Sequence, residues 1–153
     1  MSMGVFVFSD RRLETLIEWQ RATELELLGM VFLAEGAIED LRGFLPVRRN
    51  GVETGFECSH RRPIEVMEMY PDIDLSRDWK HCLALNWRGD FDECLVGYSG
   101  AAAYARATDG VVFDPQDGLV LSADYALQLV RKMNEDVIQW RRVTADTVAR
   151  MKP

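Results

Sequence analysis

Histidine and cysteine are scarce: the chain of 153 residues holds two of the first and three of the second. Cys58, Cys82 and Cys94 are odd in number and show no close pairing, which argues against a disulfide framework and points to a reducing compartment. They read as small core hydrophobes. Long apolar runs are missing too, since no window approaches the roughly 18 residues of a membrane span. The opening MSMGVFVFSDRR lacks the basic segment and apolar stretch of a secretory signal. The expected location is cytoplasmic. Positive charge is in deficit, with 18 Lys and Arg against 25 Asp and Glu and a formal net charge of −7. Nucleic acid and anionic membranes draw their protein affinity largely from Lys and Arg, so both are disfavoured as partners and a basic protein fits better.

With 48% hydrophobic and 28% charged residues, the composition is that of a globular protein. A chain of this length buries roughly 70 per cent of the surface its unfolded form exposes. No repeat, linker or low-complexity segment divides it, so residues 1–153 are expected to form one domain.

Residues 79–118 read as strand, capped helix and buried strand. His81 to Trp87 alternates, with Leu83, Leu85 and Trp87 on a strongly apolar face and Cys82, Ala84 and Asn86 on the other. Arg88-Gly89 breaks the strand, and Asp90 followed by Glu93 is a capping-box-like start for a helix beginning at Phe91. Its apolar side collects Phe91, Leu95, Tyr98, Ala102 and Ala105, while Gly97, Gly100, Ala101 and Ala103 make it smooth enough to lie close on a sheet. Gly110 is placed at the left-handed position that ends the helix. A short β-prone run, 111–113, and a turn at 114–118 follow.

Elsewhere, residues 5–8 predict a strand, with Ser9 or Asp10 capping a helix striped by Leu13, Leu16, Ile17, Leu27 and Leu28. Either that helix ends near Thr23 or Glu24 is a partly buried carboxylate. Residues 30–33 predict a second strand, and 35–42 a polar connection with one helical turn around Ile38 and Leu41. Residues 44–59 carry a hairpin signal at Asn50-Gly51, whose two-residue turn pairs Arg49 with Val52, Arg48 with Glu53, Val47 with Thr54 and Leu45 with Phe56. Leu45, Val47, Thr54, Phe56 and Cys58 then face the core; Phe44, Pro46, Arg48, Glu53, Gly55 and Glu57 face water. Pro46, unable to donate to a ladder, suggests a sheet edge. Residues 61–78 are the least regular part and carry an acidic run, Glu65, Glu68, Asp72 and Asp74, read as a solvated edge or loop or as a surface that docks a basic partner. Ser122 caps a final helix striped by Ala126, Leu129, Val130, Met133, Val137 and Trp140, with 144–153 a helical extension or frayed tail. The expected fold is a single α+β domain: a mostly antiparallel sheet with a central hairpin and three main helices packed against it.

Chemical motifs are thin. Cys58, His60, His81 and Cys82 are the right types for zinc, but adjacent His81 and Cys82 point to opposite sides of a strand. Neither Cys82 in a strand nor Cys94 within a helix occupies the electropositive position that activates a thiol. Asp114 follows a buried strand but reads as the turn-forming Asp of Asp-Pro. No glycine cluster has the spacing of a phosphate loop. Trp19, Tyr70 and Trp79 are candidate partner anchors whose commoner fate is the core. No metal, cofactor or catalytic residue is expected.

The segments GFLPV at 43–47, GFE at 55–57, LNW at 85–87, AAAYA at 101–105 and GVVFDPQDG at 110–118 together resemble small cytoplasmic bacterial immunity proteins of polymorphic secreted toxins, including type VI-secreted ones. The resemblance implies a non-catalytic protein that binds a cognate toxin domain and covers its active site, and it transfers no binding residues; on charge alone, Glu65, Glu68, Asp72 and Asp74 are the candidate partner-binding carboxylates. A chaperone or adaptor for a secreted protein is the second expectation, and a small enzyme the third.

Overall fold

The computed structural model describes residues 3–136. In chain order these form β1 (Met3–Ser9), α1 (Leu16–Leu25), β2 (Met30–Phe32), a 3-10 turn (Ile38–Asp40), β3 (Gly43–Arg49), β4 (Val52–Arg61), α2 (Pro63–Met69), β5 (His81–Trp87), α3 (Phe91–Thr108), β6 (Val111–Asp114), β7 (Leu119–Ser122) and α4 over 123–136. Val137 and Trp140 of the expected final stripe, and the expected tail 144–153, lie outside the described residues.

The fold is α+β, with seven antiparallel strands in the order β2-β3-β4-β5-β1-β6-β7. β1 is antiparallel to both β5 and β6, so those two run parallel with β1 between them and α3 as their crossover. The Asn50-Gly51 turn has both residues at positive φ and sets the expected register, from Arg49↔Val52 to Leu45↔Phe56. β3 is flanked by β2, so Pro46 is not on an outer strand. β2 ends at Phe32, and beyond it the Pro46 carbonyl accepts from the Leu33 N–H at 2.9 Å; the ladder stops where Pro46 has no N–H to offer.

One face of the sheet buries Val5, Val7, Leu45, Val47, Phe56, Cys58, Leu83 and Leu85 beneath α1, α3 and α4. The smooth stripe of α3 makes this possible: a Cβ on Gly97 would stand 2.5 Å from Cε3 of Trp87, and one on Gly100 3.2 Å from the Phe56 ring. Trp19 is fully buried, donates its indole N–H to the Gly100 carbonyl at 2.9 Å and rings with Phe32, Phe56 and Tyr104. Trp79 is buried too and donates to the Leu75 carbonyl, so neither tryptophan is a surface anchor. Tyr70, partly buried, packs edge-on against Phe6 and Phe113.

The opposite face is covered over only part of its width. There α2 and the connection after it lay Val66, Leu75 and Trp79 on Phe8, Cys82 and Phe113. That second layer is why both sides of β5 are apolar.

Several local expectations need correction. Ser9 donates to the Arg11 carbonyl and Asp10 pairs with Arg77, so neither caps a helix. Thr15 does, accepting from the Glu18 N–H at 3.2 Å, and the Glu18 carboxylate returns to the Glu14 N–H. Glu24 is exposed. Residues 63–69 of the supposedly irregular segment are helical, with Pro63 at the first turn, where a missing N–H costs nothing. Phe91 is nearly half exposed at the start of α3. The left-handed residue ending α3 is Asp109, at φ 59°, and Gly110 is needed because a Cβ there would strike the Phe8 carbonyl. β7 went unforeseen, hidden between the turn and the Ser122 cap, which accepts from the Tyr125 N–H at 3.2 Å.

Candidate functional site

The four acidic candidates sit on the α2 layer without forming one cluster. Glu65 and Glu68 are three residues apart on α2 and share a face, whereas Asp72 and Asp74 lie in the connection beyond it. Glu65 is held by Arg62 at 2.7 Å, and Asp74 closes a turn by accepting from the Ser76 N–H at 2.8 Å. No ion pair or hydrogen bond engages Glu68 or Asp72 among the described residues. Arg61, Arg62, Arg77 and Lys80 border the run in sequence, and of these Arg62 pairs with Glu65 and Arg77 with Asp10. Steering by these carboxylates is short-ranged at physiological salt.

The soft ligands are kept apart. Cys58 belongs to the core under α1 and α3, Cys82 to the core under α2, with the sheet between them. His60 is engaged by the Ile38 carbonyl at 2.7 Å. His81 has its pKa lowered by burial and by the positive charges of Arg12 and Lys80. Burial pushes the thiols of Cys58 and Cys82 up to about 12, so at neutral pH they are protonated and poor nucleophiles. Cys94 moves the same way, through burial and the negative charge of Asp114, against a smaller opposing effect of the Trp87 N–H.

Polar groups do gather where β5 and β6 end beneath the first turns of α3. Tyr98 donates to Asp114 Oδ2 at 2.7 Å, and Oδ1 of the same carboxylate accepts from the Gln116 N–H at 3.0 Å. Asp114 is thus the turn-former its sequence suggests and a buried partner as well. Burial and this carboxylate both raise the Tyr98 pKa. Trp87 packs against Tyr98 with ring centroids 6.1 Å apart. Its indole N–H is buried and finds no oxygen or nitrogen acceptor; its one partner among the described residues is the weak sulfur acceptor Cys94.

Trp87 also lines a cleft of about 510 Å³. Its apolar walls are Phe44, Phe56 and Trp87, and its polar rim is Glu57, Asn86, Arg88 and Glu93. The registers explain the assembly. Phe44, Glu57, Asn86 and Gly4 follow one another across β3, β4, β5 and β1 on the face that α2 only partly covers. Phe44 is 58% exposed, although its ring covers Gly55, at the very spot a Cβ there would occupy. Asn86 fills the corresponding space over Gly4. Asp90 caps α3 and Glu93 accepts from the Arg88 N–H at 3.1 Å, which brings carboxylates to the cleft mouth.

The hairpin register already exposed Phe44, Glu53 and Glu57 together on the wet face. The cleft itself needs the contact between β4 and β5, 29 residues apart in sequence between Glu57 and Asn86, for which the sequence carries no signal. Comparisons with protein-family models, curated proteins and solved structures find no match. Among the described residues, no helix is long and apolar enough to cross a membrane.

Proposed function

We propose that this chain is a non-catalytic binding protein of the bacterial cytoplasm, an immunity protein that neutralises a cognate secreted toxin by covering its active site. The observation that supports it best is the uncovered half of one sheet face, where a largely exposed Phe44 borders an aromatic-walled cleft rimmed by Glu57 and Glu93. Aromatic anchors inside a polar rim are the usual anatomy of a protein interface. The net charge of −7 complements a basic substrate groove and speeds encounter with it. Glu65, Glu68, Asp72 and Asp74, on the α2 layer of the same sheet face, supply a secondary contact at the flank. The reading also draws on the resemblance of GFLPV, LNW and GVVFDPQDG to immunity proteins.

The test is co-purification of the tagged protein with the product of its neighbouring gene, followed by growth on expressing that neighbour alone and together with this chain. A stable complex and rescue from toxicity are expected. A stable complex with a harmless neighbour makes the protein an adaptor for a secreted partner, and no complex removes the immunity reading.

A further inference from the structure

β4 is ten residues long, yet β5 pairs with only its second half, Glu57–Arg61. The first half is laddered to β3 alone. Hydrogen bonding elsewhere fixes which groups this leaves open. Pro46 turns its carbonyl to β2, so its pair with Gly55 is one in which the backbone polar groups point apart. Gly55 and Glu53 therefore aim their N–H and C=O groups at the space into which β5 would continue.

Arg88 is the residue that a longer β5 would set opposite Gly55. Its N–H is taken instead by the Glu93 carboxylate, and Arg88-Gly89 turns the chain into α3. Gly55 is buried, and among the described residues nothing bonds to it from that side. The cleft at this point is lined by Trp87, whose buried indole N–H has only the weak sulfur acceptor Cys94 for a partner. Buried polar groups are nearly always partnered in folded proteins, so the open donor and acceptor of a buried Gly55 describe a site completed by another chain.

We propose that the protein binds its partner by strand addition in this notch: an extended, basic segment lies along Glu53 and Gly55 in the line of β5, with a Lys or Arg between Glu57 and Glu93. Charge selects the occupant, because Glu57 and Glu93 outnumber Arg88 in the cleft lining, and Arg48, on the neighbouring strand, is engaged by Glu53 at 3.0 Å. The sheet's β2 edge is already closed by Gln20, which accepts from the Phe32 N–H and donates to the Met30 carbonyl. Backbone pairing gives affinity in such a mode, and the pockets on either side give specificity.

The inference deepens the proposed function but is tested without the natural partner. Blocked synthetic peptides Val-Lys-Val-Lys-Val, Val-Glu-Val-Glu-Val and Val-Lys-Pro-Lys-Val are titrated to millimolar concentration into the isotope-labelled full chain. The lysine peptide should shift the Glu53 and Gly55 amides and the Trp87 indole N–H; the glutamate and proline peptides should leave them unmoved. Glu57→Lys should weaken the lysine peptide about fivefold, the upper range for an exposed charge pair, with the rest of the amide spectrum unchanged. A silent spectrum, equal binding of the glutamate peptide, or shifts confined to α2 or β7 overturns the proposal. So does concentration-dependent movement of the same resonances without peptide, which assigns the notch to a second copy. Failure of the neighbouring-gene assay with a positive titration discards the immunity reading and keeps the notch.

Discussion

Raising the pH from about 8 to about 10.5 should weaken this protein from both faces of its sheet at once. Cys58 lies beneath α1 and α3 and Cys82 beneath α2, and burial pushes each thiol from 9.0 to about 12. Such a thiol keeps its proton in the folded chain and loses it once unfolded, so the folded state binds more protons above pH 9. The stability involved is complete below pH 9 and is lost progressively as pH rises towards about 12. Each pH unit in that window costs about 1.4 kcal/mol per thiol, so at about pH 10.5 the pair costs about 4 kcal/mol. Tyr104, raised from 10.0 to about 12 by burial, adds to this above pH 10, as does Tyr98. The sum is comparable with the ~5–15 kcal/mol that holds a small domain together. The assay is urea unfolding followed by tryptophan fluorescence across this range, for the natural chain and for the double variant Cys58→Ala/Cys82→Ala. The variant starts less stable but should lose about 4 kcal/mol less between pH 8 and about 10.5. Parallel pH profiles for the two proteins would refute the argument. Thiol-reagent labelling of Cys82 ahead of the transition would instead show α2 lifting on its own.

Gly97→Ala forces a Cβ to 2.5 Å from Trp87 and should cost about 1–3 kcal/mol in thermal or urea unfolding, whereas Gly89→Ala, with open space around it, should be near neutral. Gln20→Ala removes both bonds to β2 and should destabilise by about 1–3 kcal/mol, with faster amide exchange at Phe32 as the specific readout; an unchanged Phe32 rate would contradict the edge-closing role. Once a partner is in hand, reversing Glu65, Glu68, Asp72 and Asp74 to Lys should slow association at low salt by about tenfold or less and leave dissociation nearly unchanged. Phe44→Ala should do the opposite, accelerating dissociation by at least about fivefold; unchanged affinity in the quadruple variant removes the run from the interface, and unchanged dissociation in Phe44→Ala removes the cleft.

Local signals carried the reading of this chain as far as local physics reaches. Asn50-Gly51 fixed a turn and hence a seven-pair register, and Asp90 with Glu93 marked the start of α3, because both features act within a few residues. The same logic applies at Thr15 and Glu18, whose T-x-x-E spacing marks the start of α1. Pro63 at a first helical turn was an equally local sign of α2. What lay beyond reach was the pairing of distant strands. β1 joins β5 and β6 across most of the chain, and burial of both sides of β5 follows from α2 folding over the face opposite α3. The candidate acids illustrate the limit: adjacency in sequence suggested a patch, while the fold gave Glu65 a salt bridge and Asp74 a turn and split the four between α2 and the connection after it.

The cleft arises from a conflict between two local preferences at one point. β4 has the length to carry β5 further, but Glu93 draws the Arg88 N–H into the first turn of α3, and the smooth stripe of that helix pulls Trp87 down onto Gly97. Capping α3 and continuing β5 compete for the same N–H, and the helix wins because Gly97 and Gly100 let it sit deep on Trp87 and Phe56. The ladder therefore stops at Glu57 and Asn86, two residues before Gly55, and the unpaired backbone opens at the cleft that Trp87 lines. A sequence optimised for stability alone would extend β5 or fill the notch with a side chain. Leaving Gly55 bare on one side, with the Phe44 ring over its face, keeps a strand-shaped space open at the place where the rim is acidic, and an extended basic segment is what such a space recognises.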